Sequence, residues 1–213
     1  MEEEINLTTK DGVKISGSYI PSPNPNNTII LLLHQLRKDR TTWNGLVQKL
    51  ISSGFSCVTI DFRGHGKSEG GSWEDFTDEQ FQGMIHDVEV AGEYIRKKFP
   101  TANIALIGSS IGANLALNYV ASTNTSSVVL LSPGLDYKGI KIEEAANNYS
   151  KPIFLVASSD DENSSIEAMQ RIASLVTTPG VGVKIVTYSD GGHGVNMFSV
   201  HPDLLDQIVS WVK

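Results

Sequence analysis

The chain contains 213 residues, of which 40% are hydrophobic and 19% are charged, so it can bury a sizeable core and does not have the composition of a disordered chain. Its 17 Lys and Arg residues against 24 Asp and Glu residues give a formal net charge of −7, which opposes binding to nucleic acid or to an anionic membrane surface. The single cysteine, Cys57, excludes an internal disulfide and a multi-cysteine zinc site, and it fits a reducing compartment.

The start of the chain and its apolar runs bear on where the protein works. Residues 1–4 are mostly acidic, whereas a signal peptide would begin with basic residues and continue with an apolar stretch. The longest aliphatic run, Ile29–Leu33, is far shorter than the roughly 20 residues that span a bilayer. We therefore expect a soluble, cytoplasmic protein.

The predicted elements begin with a hairpin and continue with buried strands. The extended segments Ile5–Thr8 and Val13–Ile20 flank a tight-turn signal at Lys10–Gly12. Short aliphatic runs without alternation follow, which is typical of parallel strands covered on both faces. These runs are Ile29–Leu33, Phe55–Ile60, Ile104–Ile107, Val128–Leu131, Ile153–Val156 and Val183–Val186.

Apolar residues recur at helical spacing between these runs. The helices predicted in this way cover Trp43–Leu50, Met84–Phe99, Ile111–Val120 and Leu204–Val212. Only about twenty residues separate Ser132 from Ile153, which leaves no room for a helical cap. The pattern predicts a single α/β domain over residues 1–213, with a mostly parallel sheet, an N-terminal antiparallel hairpin, helices on both faces and no cap domain.

The strongest chemical signal is the sequence Gly108-Ser109-Ser110-Ile111-Gly112, which lies between a predicted strand and a predicted helix. In that context G-x-S-x-G forms a nucleophile elbow, a strained turn that holds the middle serine above the sheet. The glycines leave room for close backbone approach, and helix amides point at the reacting atom. Ser110 is therefore the candidate nucleophile, the alternative being a Gly/Ser-rich turn used only for packing.

A serine hydroxyl needs an adjacent base, and five histidines are available. His193 lies in the loop Gly191–Gly194, after the predicted last strand, so we predict that it is the base. The alternative for His193 is an ordinary solvent-exposed loop histidine. The remaining histidines are interpreted as structural or solvated; they are His34, His65, His86 and His201.

The base needs a carboxylate that orients it and stabilises the imidazolium ion. Asp160 and Asp161 follow the predicted strand Ile153–Val156, although a solvated acidic turn would have the same sequence. Spacing alone does not choose between them. Because parallel strands end at one edge of a sheet, we expect Ser110, one of these carboxylates and His193 to lie on the same rim.

Taken together, these motifs resemble those of the α/β-hydrolase superfamily, in particular its small lidless esterase-like members. The resemblance covers the chain from about Asn6 onward, and the order Ser, Asp, His agrees with it. The matching segments are Leu31–Leu36 after the first parallel strand, Asp61–Ser68 as D-x-R-G-x-G-x-S, Gly108–Gly112 as the elbow, Pro152 nine residues before Asp161, and Gly191–His193.

The resemblance implies further site residues. It selects Asp161 as the acid of the triad, and it implies an oxyanion hole made of the backbone N–H groups of Leu36 and Ile111. Gln35 stands where the family usually has a glycine. The segment Asp61–Ser68 is implied to be a structural turn without a catalytic role.

We therefore predict a serine hydrolase that cleaves small soluble carboxylic esters through Ser110, His193 and Asp161, with no metal and no cofactor. The expected partner is a small-molecule ester substrate, without nucleic acid or membrane; the oligomeric state is left open. Alternatives are a thioesterase, an acyltransferase or perhydrolase with the same triad, and a non-catalytic binding protein on the same fold. The aromatic and apolar side chains near the motifs either wall a pocket or pack in the core; they are Trp73, Phe76, Met197 and Phe198.

Overall fold

A central β-sheet carries the core, and its side chains alternate between two separate hydrophobic clusters. In the computed structural model, which describes residues 1–163, 165–176 and 180–213, Leu31 and Leu33 belong to one cluster while Ile30 and Leu32 belong to the other. All four side chains are fully buried. Both faces of the sheet are therefore covered at this strand, which explains why residues 30–33 form a continuous aliphatic run.

The strands of the described residues, in chain order, are β1 (Glu3–Thr8), β2 (Lys14–Ile20), β3 (Thr28–Leu33), β4 (Ser56–Ile60), β5 (Asn103–Ser109), β6 (Ser127–Leu131), β7 (Asp136–Tyr137), β8 (Ile140–Lys141), β9 (Ile153–Ser158) and β10 (Val183–Tyr188). Eight of them form the main sheet in the order β1-β2-β4-β3-β5-β6-β9-β10. Pairing is antiparallel between β1 and β2 and between β2 and β4, and it is parallel from β4 to β10. The predicted N-terminal hairpin and mostly parallel sheet are confirmed.

The α-helices of the same residues are α1 (Asn44–Ser52), α2 (Asp78–Gln82), α3 (Ile85–Lys98), α4 (Ile111–Ser122), α5 (Glu143–Asn148), α6 (Ser165–Leu175), α7 (Met197–Val200) and α8 (Asp203–Trp211). Helices α3, α4 and α6 bury their apolar sides in the cluster of Leu31 and Leu33, whereas α1 and α8 pack in the cluster of Ile30 and Leu32. The α/β architecture with helices on both faces is confirmed.

The last strand departs from the expectation that every aliphatic run is covered on both faces. Strand β10 lies at the edge of the sheet, and Val183 and Ile185 on one of its faces are 37% and 48% exposed. Its residues alternate between exposed and half-buried positions. An edge strand has a neighbour on one side only, so fewer helices are available to cover it.

The segment between β6 and β9 is short, as predicted. It contains the two-stranded hairpin of β7 and β8 and the six-residue helix α5. The hairpin begins at Asp136, four residues after Ser132 at the carboxyl end of β6, and so it borders the edge of the sheet where the candidate residues are found.

No helix in the described ranges combines the length and the apolar character needed to cross a bilayer.

Candidate active site

The turn between β5 and α4 holds Ser110 in a strained conformation. Its φ of +57° and ψ of −123° lie in a region that side-chain-bearing residues rarely adopt. The Ser110 N–H donates to the Leu131 carbonyl at 2.8 Å, which anchors the turn to β6. Ser110 is 6% exposed, so the hydroxyl lies at the floor of a surface depression rather than on a protruding loop.

The two glycines of the motif allow this turn because their neighbours leave no space for a side chain. A Cβ on Gly108 would lie 2.2 Å from the Gly112 carbonyl oxygen, and a Cβ on Gly112 would lie 2.4 Å from the Leu33 carbonyl oxygen. Both clashes are with backbone, which cannot move aside. The G-x-S-x-G spacing is therefore a packing requirement of the turn from β5 into α4.

The structure brings His193 and Asp161 together. His193 Nδ1 lies 2.7 Å from Asp161 Oδ2, and the Asp161 side chain is fully shielded from solvent. This contact leaves His193 Nε2 as the ring nitrogen available to a substrate or a nucleophile. Ser110 and His193 line the same cleft, and no hydrogen bond among the described residues joins the Ser110 hydroxyl to the His193 ring.

The carboxylate of Asp161 is held in its charged form. Burial alone would raise its pKa, but hydrogen bonds from His193, Ser165 and Asn163 outweigh burial and place the pKa of Asp161 well below its usual range. Ser165 Oγ donates to Asp161 Oδ2 at 2.6 Å, and the Asn163 N–H and Nδ2 each donate to Oδ1 at 3.0 Å. A permanent negative charge therefore faces Nδ1 of the imidazole.

The neighbouring carboxylate, Asp160, makes different contacts. It accepts backbone N–H groups of the histidine loop, from Gly192 at 2.9 Å and from Gly191 at 3.2 Å, and it also contacts Ser158 Oγ. These bonds lower the pKa of Asp160. The two adjacent aspartates thus have different roles: Asp161 contacts the His193 ring, whereas Asp160 binds the backbone of the loop that carries His193.

The backbone N–H groups of Leu36 and Ile111 have no acceptor among the described residues. Ile111 is the first residue of α4, where helical N–H groups have no intrahelical partner. Leu36 follows β3, and it lines the cleft together with Ser110. Free N–H groups beside a nucleophile are what an oxyanion hole requires.

The loop after β3 is fixed by His34 and Gln35. His34 Nδ1 bonds to the Gln35 carbonyl at 2.8 Å, and the Phe62 N–H donates to His34 Nε2 at 2.9 Å. Burial lowers the pKa of His34 to about 3, so the ring is neutral and structural. The Gln35 side chain, in place of the family's usual glycine, is buried and accepts two hydrogen bonds.

The segment Asp61–Ser68 contacts its own neighbours and does not line the cleft of Ser110. Asp61 accepts the N–H groups of Arg40 and Lys67, at 2.8 and 2.9 Å. Arg63 forms a buried pair with Asp87, at 2.8 Å, and a second pair with Asp11. These contacts tie the loop after β4 to the N-terminal hairpin and to α3.

The remaining histidines and the cysteine are outside the cleft. His65 bonds to the Arg63 carbonyl, His86 to Glu89 and His201 to Asp190. Cys57 is buried in β4, and burial raises the pKa of its thiol to about 12.

The cleft has a volume of about 960 Å³, and most of the residues that line it are polar or charged. Of the four apolar side chains near the motifs, Trp73 lines the cleft, and its ring also stacks on His65, which lies outside the cleft. Met197 is fully buried in the core, Phe198 packs against Trp43, and Phe76 packs against Phe81. The other lining residues include Arg37, Lys38, Asp136, Lys138, Glu162 and Asn196.

Sequence analysis missed Tyr137, which is in the β7–β8 hairpin. Its ring lies edge-on to the His193 ring at a centroid distance of 6.3 Å, and its hydroxyl donates to the Ser132 carbonyl at 3.3 Å. Burial raises the pKa of Tyr137, and contacts with the Ser165 and Ser110 hydroxyls partly offset that effect. The sequence around Tyr137 contains no motif that would have indicated a wall of the site.

Comparison with known proteins identifies the family of the chain. A family model described as serine aminopeptidase, S33, matches residues 24–141, more than half of the chain. The chain belongs to this family. Membership in the serine aminopeptidase (S33) family agrees with the α/β-hydrolase resemblance of the sequence motifs.

Sequence relatives of this serine aminopeptidase (S33) family member are distant. A Mycobacterium tuberculosis protein described as uncharacterized is 27% identical over 133 residues, which cover 61% of this chain and 45% of that protein. The uncharacterized protein YfhR of Escherichia coli is 24% identical over 239 residues, covering 99% of this chain and 80% of that protein. The chain spans about half the length of the mycobacterial relative it matches.

Solved structures share the fold over the whole chain. An esterase of Pyrococcus furiosus superposes with a TM-score of 0.85 at 20% identity, covering 100% of this chain and 92% of that one. A carboxyl esterase of Bacillus coagulans gives 0.83 at 14%, covering 99% and 97%. An α/β serine hydrolase without lid from Xanthomonas campestris gives 0.73 at 18%, covering 99% and 94%. At these identities the likeness concerns the fold.

Proposed function

We propose that this member of the serine aminopeptidase (S33) family is a serine hydrolase that cleaves small, soluble carboxylic esters. The observation that carries the proposal is the 2.7 Å contact between His193 Nδ1 and Asp161 Oδ2 in the cleft that Ser110 also lines. A base oriented by a buried carboxylate beside a strained serine is the arrangement that activates a hydroxyl.

The first chemical step forms an acyl-enzyme. His193 Nε2 takes the proton of the Ser110 hydroxyl as Oγ attacks the ester carbonyl carbon, and the carbonyl electron pair moves onto its oxygen. Collapse of this intermediate breaks the bond to the alcohol, which leaves with the proton from His193. The transfer needs Ser110 Oγ near His193 Nε2, a contact that catalytic sites often tighten only when substrate binds.

The second step regenerates the serine. Water attacks the acyl carbon while His193 Nε2 takes its proton; the bond to Ser110 Oγ then breaks as His193 gives that proton to the serine oxygen, and the free acid leaves. In both steps the N–H groups of Leu36 and Ile111 donate to the developing oxyanion. Each such donor is typically worth about 3 kcal/mol of transition-state stabilisation. Asp161 keeps the proton on Nδ1 and stabilises the imidazolium ion.

The lining of the cleft supports small substrates that have both polar and apolar parts over long acyl chains. Apolar contact comes from Leu36, Trp73 and Tyr137, whereas most other lining side chains are charged or carry amides. Esterases are among the proteins of the same fold, including those of Pyrococcus furiosus and Bacillus coagulans. Thioesters and activated amides would follow the same steps.

Hydrolysis of p-nitrophenyl acetate by purified protein tests the proposal. We expect turnover by the wild type and a loss of at least about 1,000-fold in Ser110→Ala, because no other group replaces the nucleophile. Ser18→Ala removes an equally buried serine from β2 and should keep full activity. Unchanged turnover in Ser110→Ala would overturn the proposal.

A second assay with an amide substrate distinguishes the proposed ester hydrolysis from the aminopeptidase activity named in the family's description. Leucine p-nitroanilide should be cleaved more slowly than p-nitrophenyl acetate by the same preparation. If the anilide has the higher kcat/KM, the substrate class is an aminoacyl amide rather than an ester.

A further inference from the structure

One side-chain oxygen, Gln35 Oε1, contacts two loops of the site at once. It accepts a hydrogen bond from Ser109 Oγ at 2.8 Å and another from the Val195 N–H at 3.0 Å. Ser109 precedes the nucleophile Ser110, and Val195 lies two residues after His193. Gln35 itself immediately precedes Leu36, the residue that supplies one of the free N–H groups.

These two bonds are shielded from water. Gln35 is 6% exposed, Ser109 is fully buried and Val195 is 7% exposed. A buried N–H that loses its acceptor costs about 1–3 kcal/mol, so the Val195 bond cannot be exchanged for a solvent bond without penalty. The contacts therefore restrain the loops strongly.

The loop that carries His193 leaves room for the Gln35 side chain because residue 194 is a glycine. At Gly194, where φ is +60°, a Cβ would lie 2.2 Å from Gln35 Oε1 and 2.3 Å from Ser109 Oγ. The Gly194 N–H donates to Ser132 Oγ at 2.8 Å, which ties the same loop to the end of β6. Glycine at this position lets the backbone approach the oxygen.

The Val195 N–H also determines the orientation of the Gln35 amide. Oε1 must be the atom that faces Ser109 and Val195, because the Val195 N–H can only donate. A flipped amide would lose the Val195 bond, because Nε2 cannot accept from an N–H, so the Gln35 oxygen lies at a fixed place among the three loops.

We propose that Gln35 is a positioning residue, which uses one side-chain oxygen to hold the nucleophile turn, the histidine loop and the oxyanion loop in register. This inference rests on the serine hydrolase function proposed above. Gln35 acts through Ser110, His193 and Leu36. A displacement of about 1 Å among such groups can cost on the order of 100-fold in rate.

The test is a double-mutant cycle on Gln35 and Ser109. Gln35→Met keeps the length of the side chain and removes the acceptor; it should lower kcat by about 10- to 100-fold and leave KM within about threefold. Ser109→Ala should lower kcat by a smaller factor. The double variant should be no slower than Gln35→Met, because Ser109 contributes through the Gln35 oxygen.

Each alternative gives a different result. If Gln35 only fills space, kcat stays within twofold of wild type, or the two substitutions multiply and KM changes with them; either outcome overturns the inference. If Gln35→Met does not fold, Ser109→Ala alone decides, and an unchanged kcat in that variant contradicts the inference. The same substitutions remote from the site, Gln48→Met at an exposed position of α1 and Ser18→Ala at a buried position of β2, are the controls.

Failure of the underlying function is recognised separately. If wild-type protein shows no hydrolysis that depends on Ser110, the proposed function itself fails, whatever the variants of Gln35 and Ser109 show. If Ser110→Ala abolishes hydrolysis while Gln35→Met is as fast as wild type, the positioning role alone is wrong. Labelling of Ser110 by a fluorophosphonate should slow in Gln35→Met by a similar factor to kcat.

Discussion

His193 Nδ1 and Asp161 Oδ2 lie 2.7 Å apart, although 32 residues separate them along the chain. The parallel pairing of β9 with β10 brings them together, since Ser158 at the end of β9 is opposite Tyr188 at the end of β10. Two loops that leave adjacent strands at the same edge can thus form a contact with full shielding of the carboxylate.

The two adjacent aspartates should differ sharply when each is replaced. We expect Asp161→Asn to lower kcat by about 1,000- to 10,000-fold, because the amide favours the wrong imidazole tautomer. Asp160→Asn leaves the His193 ring contact intact and weakens the bonds to the loop N–H groups, so its loss should be far smaller. Steady-state kinetics on one ester measures both, and equal losses would contradict the division of roles.

The glycines of the elbow should be intolerant of any side chain. Gly108→Ala places a Cβ against the Gly112 carbonyl, and we expect a loss of at least about 2 kcal/mol in the free energy of unfolding. Gly45→Ala in α1 is the control, since nothing lies within 4 Å of its Cβ; it should raise stability by about 0.5 kcal/mol. Urea unfolding of both variants measures this difference, and a Gly108→Ala protein as stable as wild type would contradict the packing argument.

The sequence predicted the features that depend on local patterns. The aliphatic runs of β3, β4, β5, β6 and β9 and the Gly108–Gly112 turn follow from residue spacing, because a buried parallel strand and a tight turn each impose their own composition. The choice of Asp161 over Asp160 came from the resemblance. Spacing alone could not make it, since adjacent residues point differently only once the loop is folded.

Features that arise where separate loops meet could not be read from the chain. The contacts of Gln35 with Ser109 and Val195 cross 74 and 160 residues. Tyr137 reaches His193 from the β7–β8 hairpin, whose two-residue strands have no recognisable sequence pattern. Sequence analysis did not predict α6, although that helix is amphipathic. The exposure of β10 depends on its place at the edge of the sheet, which the local sequence does not encode.

Stability should fall as the pH drops below about 6.5, through the buried His34. Its pKa is about 3 in the folded chain against 6.5 as the ordinary value, so between these pH values the unfolded chain binds a proton that the folded chain does not. The contribution of His34 to the free energy of unfolding therefore rises with pH in this window, by up to about 1.4 kcal/mol per unit. Urea midpoints from pH 4 to 7 measure the slope, which should become shallower in His34→Gln. An unchanged slope in that variant would show that His34 is not its source.

The turn after β3 contains a strained arginine whose replacement should not destabilise the fold. Arg37 has a φ of +64°, in a turn closed by the Lys38 N–H and the Gln35 carbonyl at 3.3 Å. Because glycine adopts positive φ without a steric penalty, Arg37→Gly should leave stability unchanged or raise it by up to about 1 kcal/mol. Lys38→Gly, next in the chain and without positive φ, should lower stability by about 0.5 kcal/mol. Thermal unfolding of both variants measures this difference. If Arg37→Gly is less stable than Lys38→Gly, the Arg37 backbone is not strained.

The account stands on activation of the Ser110 hydroxyl by His193, and the site of covalent labelling by a fluorophosphonate tests it most directly. Peptide mapping by mass spectrometry should find one adduct, on Ser110, in the wild type and none in Ser110→Ala. The rate of labelling should fall by at least about 100-fold in His193→Ala, because the hydroxyl then has no base. An unlabelled wild type, an adduct on another serine, or labelling of His193→Ala at the wild-type rate would contradict the account.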